Sequence, residues 1–306
     1  MQVSEKLIGR IRSELPRLTL LENEPMSAHC SFRIGGPARL MACPASASEA
    51  AALLHILHEE QAPTELMGKG TNLLVPDTGL DAVVVLVGEA MSDAELLPDS
   101  RIRAGAGISL AKLAVYAAGC GLSGLEFAHG IPGTLGGAVM MNAGAYGGEM
   151  GQVLTSVTYL DEAGTRHTLP AGACGLSYRH SLFCGHPEWL ILEAEMALPQ
   201  GEGEQIRGRM EELARKRREK QPLEWPSAGS TFKRPEGHFA AALIEACGLK
   251  GVGIGGAQVS EKHAGFVINR GNATADDVRR LMALVQETVL RETGVALEPE
   301  VRLLGF

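Results

Sequence analysis

Five short stretches hold the residues of this chain best suited to chemistry: GKGTN at 68–72, GIPGTLGGAVMMNAGAYGGE at 130–149, SYRHSLF at 177–183, PSAGSTFK at 226–233 and LEPEVR at 297–302. The second is dense in glycine, with one proline and almost no charge. A solvated linker would carry charge and serine, and an amphipathic helix would not tolerate this glycine content. Glycine uncovers backbone N–H groups and permits positive φ, so the main chain can lie close against a ligand. Ala138, Ala143 and Ala145 keep that approach open, while Val139, Met140 and Met141 can anchor it to a core. Two readings stay open: a tight packing contact, or one wall of a pocket for a large, flat, phosphate-bearing cofactor. GKGTN follows a short strand pattern, Glu65 to Met67, and reads as a phosphate nest or an ordinary turn. It is not a P-loop, because no GxxxxGK[ST] is present.

The C-terminal VALEPEVRLLGF alternates as a strand: Val295, Leu297, Val301 and Leu303 on one face, Glu298, Glu300 and Arg302 on the other. The polar face either meets solvent or projects Glu300 and Arg302 side by side into a site. Gly251 to Gly256 matches GxGxxG but follows a helix and precedes a strand, the wrong order for a dinucleotide turn.

The elements that must position these residues follow from periodicity. Residues 3–15 have helical apolar spacing at Val3, Leu7, Ile8 and Ile11. Ser46 and Glu49 open a helix to about residue 60 whose apolar face is Ala50, Leu53, Leu54 and Leu57. Strands are expected at 38–42, 82–87, 101–104 and 153–160, the last turning at 161–164 into 165–169. Helices are expected from Ser109 to Gly119 or Gly121, from 204 to 220, from 238 to 247 and from 274 to 293. The RKRREK end of the 204–220 helix is a solvated face or a nucleic-acid contact, and an acidic protein favours the former.

At 306 residues the chain is expected to form more than one domain, and its 45% hydrophobic content is ample for cores. A net charge of −8 argues against nucleic acid and membrane surfaces as partners. The six cysteines have no zinc-ligand spacing, so no metal site is expected and reduced thiols are; only Cys174 and Cys184 stand close enough to be considered as a pair. The N-terminus has no signal-peptide core, and no apolar run approaches the ~20 residues of a membrane span.

Taken together and in this order, the five stretches resemble those of the UDP-N-acetylenolpyruvoylglucosamine reductase (UDP-N-acetylmuramate dehydrogenase) family, from about residue 27 to the C-terminus. The resemblance implies an α+β fold: a vanillyl-alcohol-oxidase-type (PCMH-type) FAD-binding domain in two lobes, then a C-terminal α+β substrate domain. The corresponding ranges are 1–29 for an N-terminal helical segment, 30–199 for the FAD domain (lobes 30–88 and 89–199) and 200–306 for the UDP-sugar domain. It implies a cytoplasmic flavoenzyme of peptidoglycan precursor synthesis, expected to be monomeric. NADPH reduces the flavin, which reduces an enolpyruvyl ether to a lactyl ether; the alternative is another FAD-dependent oxidoreductase or oxidase on the same scaffold. Arg179, Ser230 and Glu300 match catalytic positions. Tyr146, Arg302, Lys220, Lys233 and His263 match substrate-contacting ones. The cofactor-binding set is Gly68, Lys69, Gly70, Thr71 and Asn72 with Gly130, Ile131, Pro132, Gly133, Gly137 and Asn142. GKGTN has no histidine for a covalent link, so the FAD is expected to be non-covalent. The short interval between Arg179 and Ser230 places the chain in a subgroup lacking a tyrosine-bearing insertion.

The chemistry of those residue types agrees. Hydride addition at C3 of an enolpyruvyl carboxylate builds negative charge over C2 and the carboxylate. Arg179 can neutralise it with two parallel bonds, and a protonated Glu300 can hydrogen-bond to it. The resulting carbon is basic enough for a weak acid such as Ser230 to protonate.

Overall fold

The computed structural model describes residues 3–306. In chain order its elements are α1 (Glu5–Glu14), β1 (Thr19–Pro25), β2 (Pro37–Cys43), α2 (Ala47–Glu59), β3 (Thr64–Met67), β4 (Leu73–Leu74), β5 (Leu80–Leu86), β6 (Ala94–Leu97), β7 (Arg101–Gly105), α3 (Leu110–Gly119) and α4 (Leu135–Met140). Then follow β8 (Gly144–Ala145), β9 (Gly148–Glu149), β10 (Leu154–Leu160), β11 (Arg166–Pro170), β12 (Leu190–Ala197), α5 (Gly203–Lys220), α6 (Ala240–Ala246), β13 (Gly253–Ile254), β14 (Ala257–Val259), β15 (Val267–Asn269), α7 (Ala275–Thr293) and β16 (Arg302–Leu303).

The chain divides into two compact units, each drawing on separated segments. The first is Met1–Asn23, Arg39–Lys69 and Asp81–Lys216; the second is Glu24–Ala38, Gly70–Leu80 and Arg217–Phe306. This differs from the expected contiguous ranges 1–29, 30–199 and 200–306. The N-terminal helix joins the first unit because Leu7, Ile8 and Ile11 bury in its core. Residues 70–80 join the second because β4 pairs in parallel with β16.

In the first unit, one sheet has the order β1-β2-β5-β3 and a second, antiparallel, has β11-β10-β12-β7-β6. Helix starts follow local chemistry: the hydroxyls of Ser4, Ser46 and Ser109 accept from Leu7, Glu49 and Lys112 N–H and cap α1, α2 and α3. One sequence expectation changes here and one holds. The glycine-dense stretch does hold a helix, the six-residue α4, because Leu135, Ala138 and Val139 bury while Gly136 passes against Ala106. All six cysteines, Cys174 and Cys184 among them, are free thiols.

In the second unit, α7 packs on the three-stranded antiparallel β13-β14-β15 through Val278, Leu281, Val285 and Val289. Thr274 and Asp277 form its capping box, and Gly294 at φ 73° ends it. The expected terminal strand is broken. Glu298 and Glu300 bond to the 231–233 segment, while Arg302 and Leu304 donate to Asn72 and Leu74 carbonyls. Pairing with 231–233 carries the alternation through Pro299 to Val301, and the change of partner after Glu300 resets it, so Leu297, Val301 and Leu304 are buried and Leu303 is exposed.

Candidate active site

Two clusters gather the polar residues singled out in the sequence, one in each unit. In the first unit the two glycine turns meet: a Cβ placed on Gly68 would lie 2.2 Å from Thr134 Oγ1. Glycine at 68 is therefore what lets GKGTN close on GIPGT. Beyond α4, β8 and β9 make a hairpin whose two turn residues, Tyr146 and Gly147, have φ 54° and 89°, the pattern of a type I′ turn. Gly148 is needed because Phe127 would meet its Cβ at 2.5 Å. The turn leaves Tyr146 41% exposed at the tip.

Arg179 sits in the turn Ser177–His180 with φ 53°, and its Nη1 donates to Gly144 O of the hairpin at 3.3 Å. Arg179 and Tyr146 are thus brought together, both in the left-handed region that non-glycine residues enter only when held there. Asn142, expected to touch the cofactor, is instead 1% exposed, and both ends of its amide are used within the protein. Its Nδ2 donates to Ser177 O at 3.0 Å and its Oδ1 accepts from Gly151 N at 2.8 Å.

The residues present suit a bound FAD. Gly137 is exposed, and the nearest atom to a Cβ there is Thr134 Oγ1 at 3.8 Å, so the backbone face is open to close approach. Gly133 takes a φ of 138°, open only to glycine. Gly130 and Ile131 are half-buried and Pro132 is exposed along the same face. His129 Nδ1, just before Gly130, is a buried polar atom with no hydrogen-bond partner in the protein. Gly68 and exposed Lys69 close the first unit's share of GKGTN, while Gly70 (φ 58°), Thr71 and Asn72 belong to the second unit. Among the described residues no group of three His, Cys, Asp or Glu is arranged to hold a metal ion, and no helix is long and apolar enough to cross a membrane.

The second unit brings Ser230 and Glu300 onto neighbouring segments. Glu300 N donates to Thr231 O at 2.8 Å, and Lys233 N donates to Glu298 O at 2.8 Å, with Phe232 bridged to Pro299. Asn72 fixes the far side of this strand: its Nδ2 donates to Glu300 O at 3.0 Å, and its own carbonyl accepts from Arg302 N at 3.0 Å. Asn72 thus spends its side chain on the backbone that carries Glu300. Buried Thr231 locks the other strand, donating its N–H to Gly265 O at 2.8 Å and accepting from Val267 N at 2.9 Å. Ser230, Glu300 and Arg302 are all half-buried. Lys233 pairs its ammonium with exposed Glu298.

His263 lies beside this ladder, its Nδ1 accepting from Gly265 N at 3.2 Å. Burial foremost, then the charges of Lys250 and Lys220, push its pKa below the usual imidazole value. The neutral ring accepting at Nδ1 carries its proton on Nε2, a donor. Lys220 at the end of α5 is exposed, and Lys250 pairs with Glu245 at 3.0 Å. Lys250 was missed in the sequence, where a lone lysine between Leu249 and Gly251 carries no signal.

Comparison with known proteins decides the family. The chain is 46% identical over 303 residues, 99% of each chain, to UDP-N-acetylenolpyruvoylglucosamine reductase from Caldanaerobacter subterraneus subsp. tengcongensis. The chain belongs to the UDP-N-acetylenolpyruvoylglucosamine reductase family. The reductase from Syntrophomonas wolfei is 47% identical over 291 residues, covering 95% of this chain and 97% of that one. Residues 38–170 match the FAD binding domain model, and residues 221–304 match that of the UDP-N-acetylenolpyruvoylglucosamine reductase C-terminal domain. The solved reductase from Thermus caldophilus superposes with a TM-score of 0.80 at 34% identity, over 94% of this chain and 98% of that one. Alkyldihydroxyacetonephosphate synthase, at 16% identity and a TM-score of 0.50 over 65% of this chain and 41% of its own, shares the fold. The reductase fold is therefore α+β with a vanillyl-alcohol-oxidase-type FAD domain.

Proposed function

We propose that Arg179, Ser230 and Glu300 act on one substrate, the enolpyruvyl ether of UDP-N-acetylenolpyruvoylglucosamine. The protein is an FAD-dependent oxidoreductase that uses NADPH to reduce this ether to UDP-N-acetylmuramate in peptidoglycan precursor synthesis. The observation that carries the assignment of residues is the Ser230–Glu300 ladder, which holds a hydroxyl and a carboxyl on paired segments by bonds of 2.8 Å.

FAD, when bound, would supply the hydride chemistry that links NADPH to C3 of the enolpyruvyl group. Gly68, Lys69, Gly70, Thr71, Gly130, Ile131, Pro132, Gly133 and Gly137 would hold it, largely through backbone. Negative charge then grows on C2 and the carboxylate of the substrate, and Arg179 neutralises it with its planar fork. Glu300, carrying a proton, donates a hydrogen bond to the same charge. Ser230 delivers its hydroxyl proton to C2, completing the lactyl ether. Lys220, Lys250 and the Nε2–H of His263 supply positive charge and a donor for the diphosphate; Tyr146, Lys233 and Arg302 orient the rest of the substrate.

We infer a non-covalent FAD, since GKGTN offers no histidine. We also infer a cytoplasmic monomer without nucleic-acid or membrane partners, supported by six free thiols and a net charge of −8. Acid precipitation of the yellow protein should leave the colour in the supernatant; light scattering should give the mass of one chain. NADPH should bleach the flavin anaerobically, and UDP-N-acetylenolpyruvoylglucosamine should restore its absorbance with formation of UDP-N-acetylmuramate. Rapid reoxidation by oxygen with indifference to the UDP-sugar would overturn the assignment.

A further inference from the structure

We infer that Asn142 and Ser181 are positioning residues for Arg179, setting the rate of substrate reduction without touching the substrate. The inference rests on the role of Arg179 proposed above. The Arg179 turn is closed by two reciprocal backbone bonds, Ser177 N to His180 O at 3.0 Å and His180 N to Ser177 O at 3.1 Å. A two-residue tip with arginine at φ 53° relaxes to a commoner conformation unless it is held from outside.

Both flanks of this turn are held. On one side Asn142 Nδ2 donates to Ser177 O at 3.0 Å, while Oδ1 accepts from Gly151 N at 2.8 Å. On the other, the Ser181 hydroxyl donates to Met140 O at 2.7 Å. Asn142 is 1% exposed and Ser181 0%, so water cannot replace either bond. The two anchors, Met140 and Asn142, are separated by one residue at the end of α4. The turn is thereby clamped at both ends to the segment that leads into the Tyr146 hairpin, and Arg179 Nη1 adds a third link at Gly144 O. The residue types fit the task. Asparagine accepts the left-handed φ of 40° seen at 142 and offers one donor and one acceptor; aspartate offers acceptors only.

The test is stopped-flow reoxidation of the NADPH-reduced holoenzyme by UDP-N-acetylenolpyruvoylglucosamine. Ser181→Ala and Asn142→Ala should each slow it about tenfold, the scale of one lost buried hydrogen bond. Asn142→Asp keeps an acceptor for Gly151 N but sets a second acceptor against Ser177 O where water cannot reach, so it should slow reoxidation at least as much and lower the thermal midpoint. Ser181→Ala removes one hydroxyl and adds no charge, so it stands in for either Asn142 variant that loses its flavin or its fold. In an Arg179→Lys background Ser181→Ala should cost less than about twofold further, because the group it positions is already altered. Full additivity of the two changes, or wild-type reoxidation in both Ser181→Ala and Asn142→Asp, overturns the inference. Wild-type reoxidation in Arg179→Lys alone overturns the role of Arg179 and the inference with it, so the two failures are distinguished by that single variant.

Discussion

Replacing Gly68 with alanine tests whether the meeting of the two glycine turns governs flavin binding. The added Cβ would stand 2.2 Å from Thr134 Oγ1, 3.2 Å from its Cγ2 and 3.3 Å from its Cβ. Thr134 has little room to give, being 3% exposed. The residues after it are pinned, Leu135 N to Ile108 O and Gly136 N to Ala106 O, both at 2.9 Å. The backbone at Gly68 is outside the left-handed region, so alanine brings no conformational penalty of its own. The whole effect is overpacking, about 1–3 kcal/mol. If the turn yields only by moving away from the cofactor, FAD affinity falls roughly fivefold to 150-fold. Thr134→Ala removes Oγ1 and Cγ2 and leaves only the 3.3 Å neighbour, so Gly68→Ala/Thr134→Ala should bind FAD within about threefold of Thr134→Ala alone. Flavin fluorescence quenching on titration of apoprotein gives the affinities, and the thermal midpoint of the holoprotein gives the packing cost. Wild-type FAD binding by Gly68→Ala, or a double variant that binds FAD no better than Gly68→Ala, would refute the reasoning.

Arg179→Lys exchanges a planar fork for a point charge and should slow turnover by roughly tenfold to a hundredfold; near-wild-type turnover removes Arg179 from the catalytic set. Ser230→Ala should bleach with NADPH at a nearly normal rate yet reoxidise with substrate about 10²–10⁴-fold more slowly, and Glu300→Gln should show the same asymmetry. Equal slowing of both half-reactions would make these residues positional. His263 has a folded pKa below 6.5, so the unfolded chain takes up its proton first on acidification. Its stabilising contribution is full above pH 6.5 and is lost as pH falls from there through the folded value. Thermal midpoints between about pH 7.5 and 5 should fall less in His263→Gln than in wild type; parallel curves would exclude the imidazole as the cause.

Much of this was legible in residue patterns, where a local signal decides a local structure. Ser46 and Ser109 open the helices expected of them, the apolar faces of α1 and α2 bury as their spacing implies, and α5 and α7 fall on the ranges expected for them. The failures have one physical origin, namely non-local pairing. Alternation continued past Val301 gave the wrong face to Leu303 because the chain there leaves one partner for another, which periodicity cannot register. Asn142 lies in a glycine-rich wall but is turned inward by Ser177 and Gly151. Asn72 reads as part of a phosphate nest, yet its side chain serves Glu300, far along the chain. Lys250 acquires meaning only from its proximity to His263.

The parallel register of Arg302 and Leu303 against Leu73 and Leu74 also has a consequence for how the polypeptide is born. Residues 24–38 and 70–80 leave the ribosome early, but the partners that complete their unit are residues 217–306. During most of synthesis Phe32, Ile34 and Leu74, each at most 3% exposed in the finished fold, have no core to enter. Closure of so long a loop is a late and slow event, and unfinished chains present this apolar surface until it occurs.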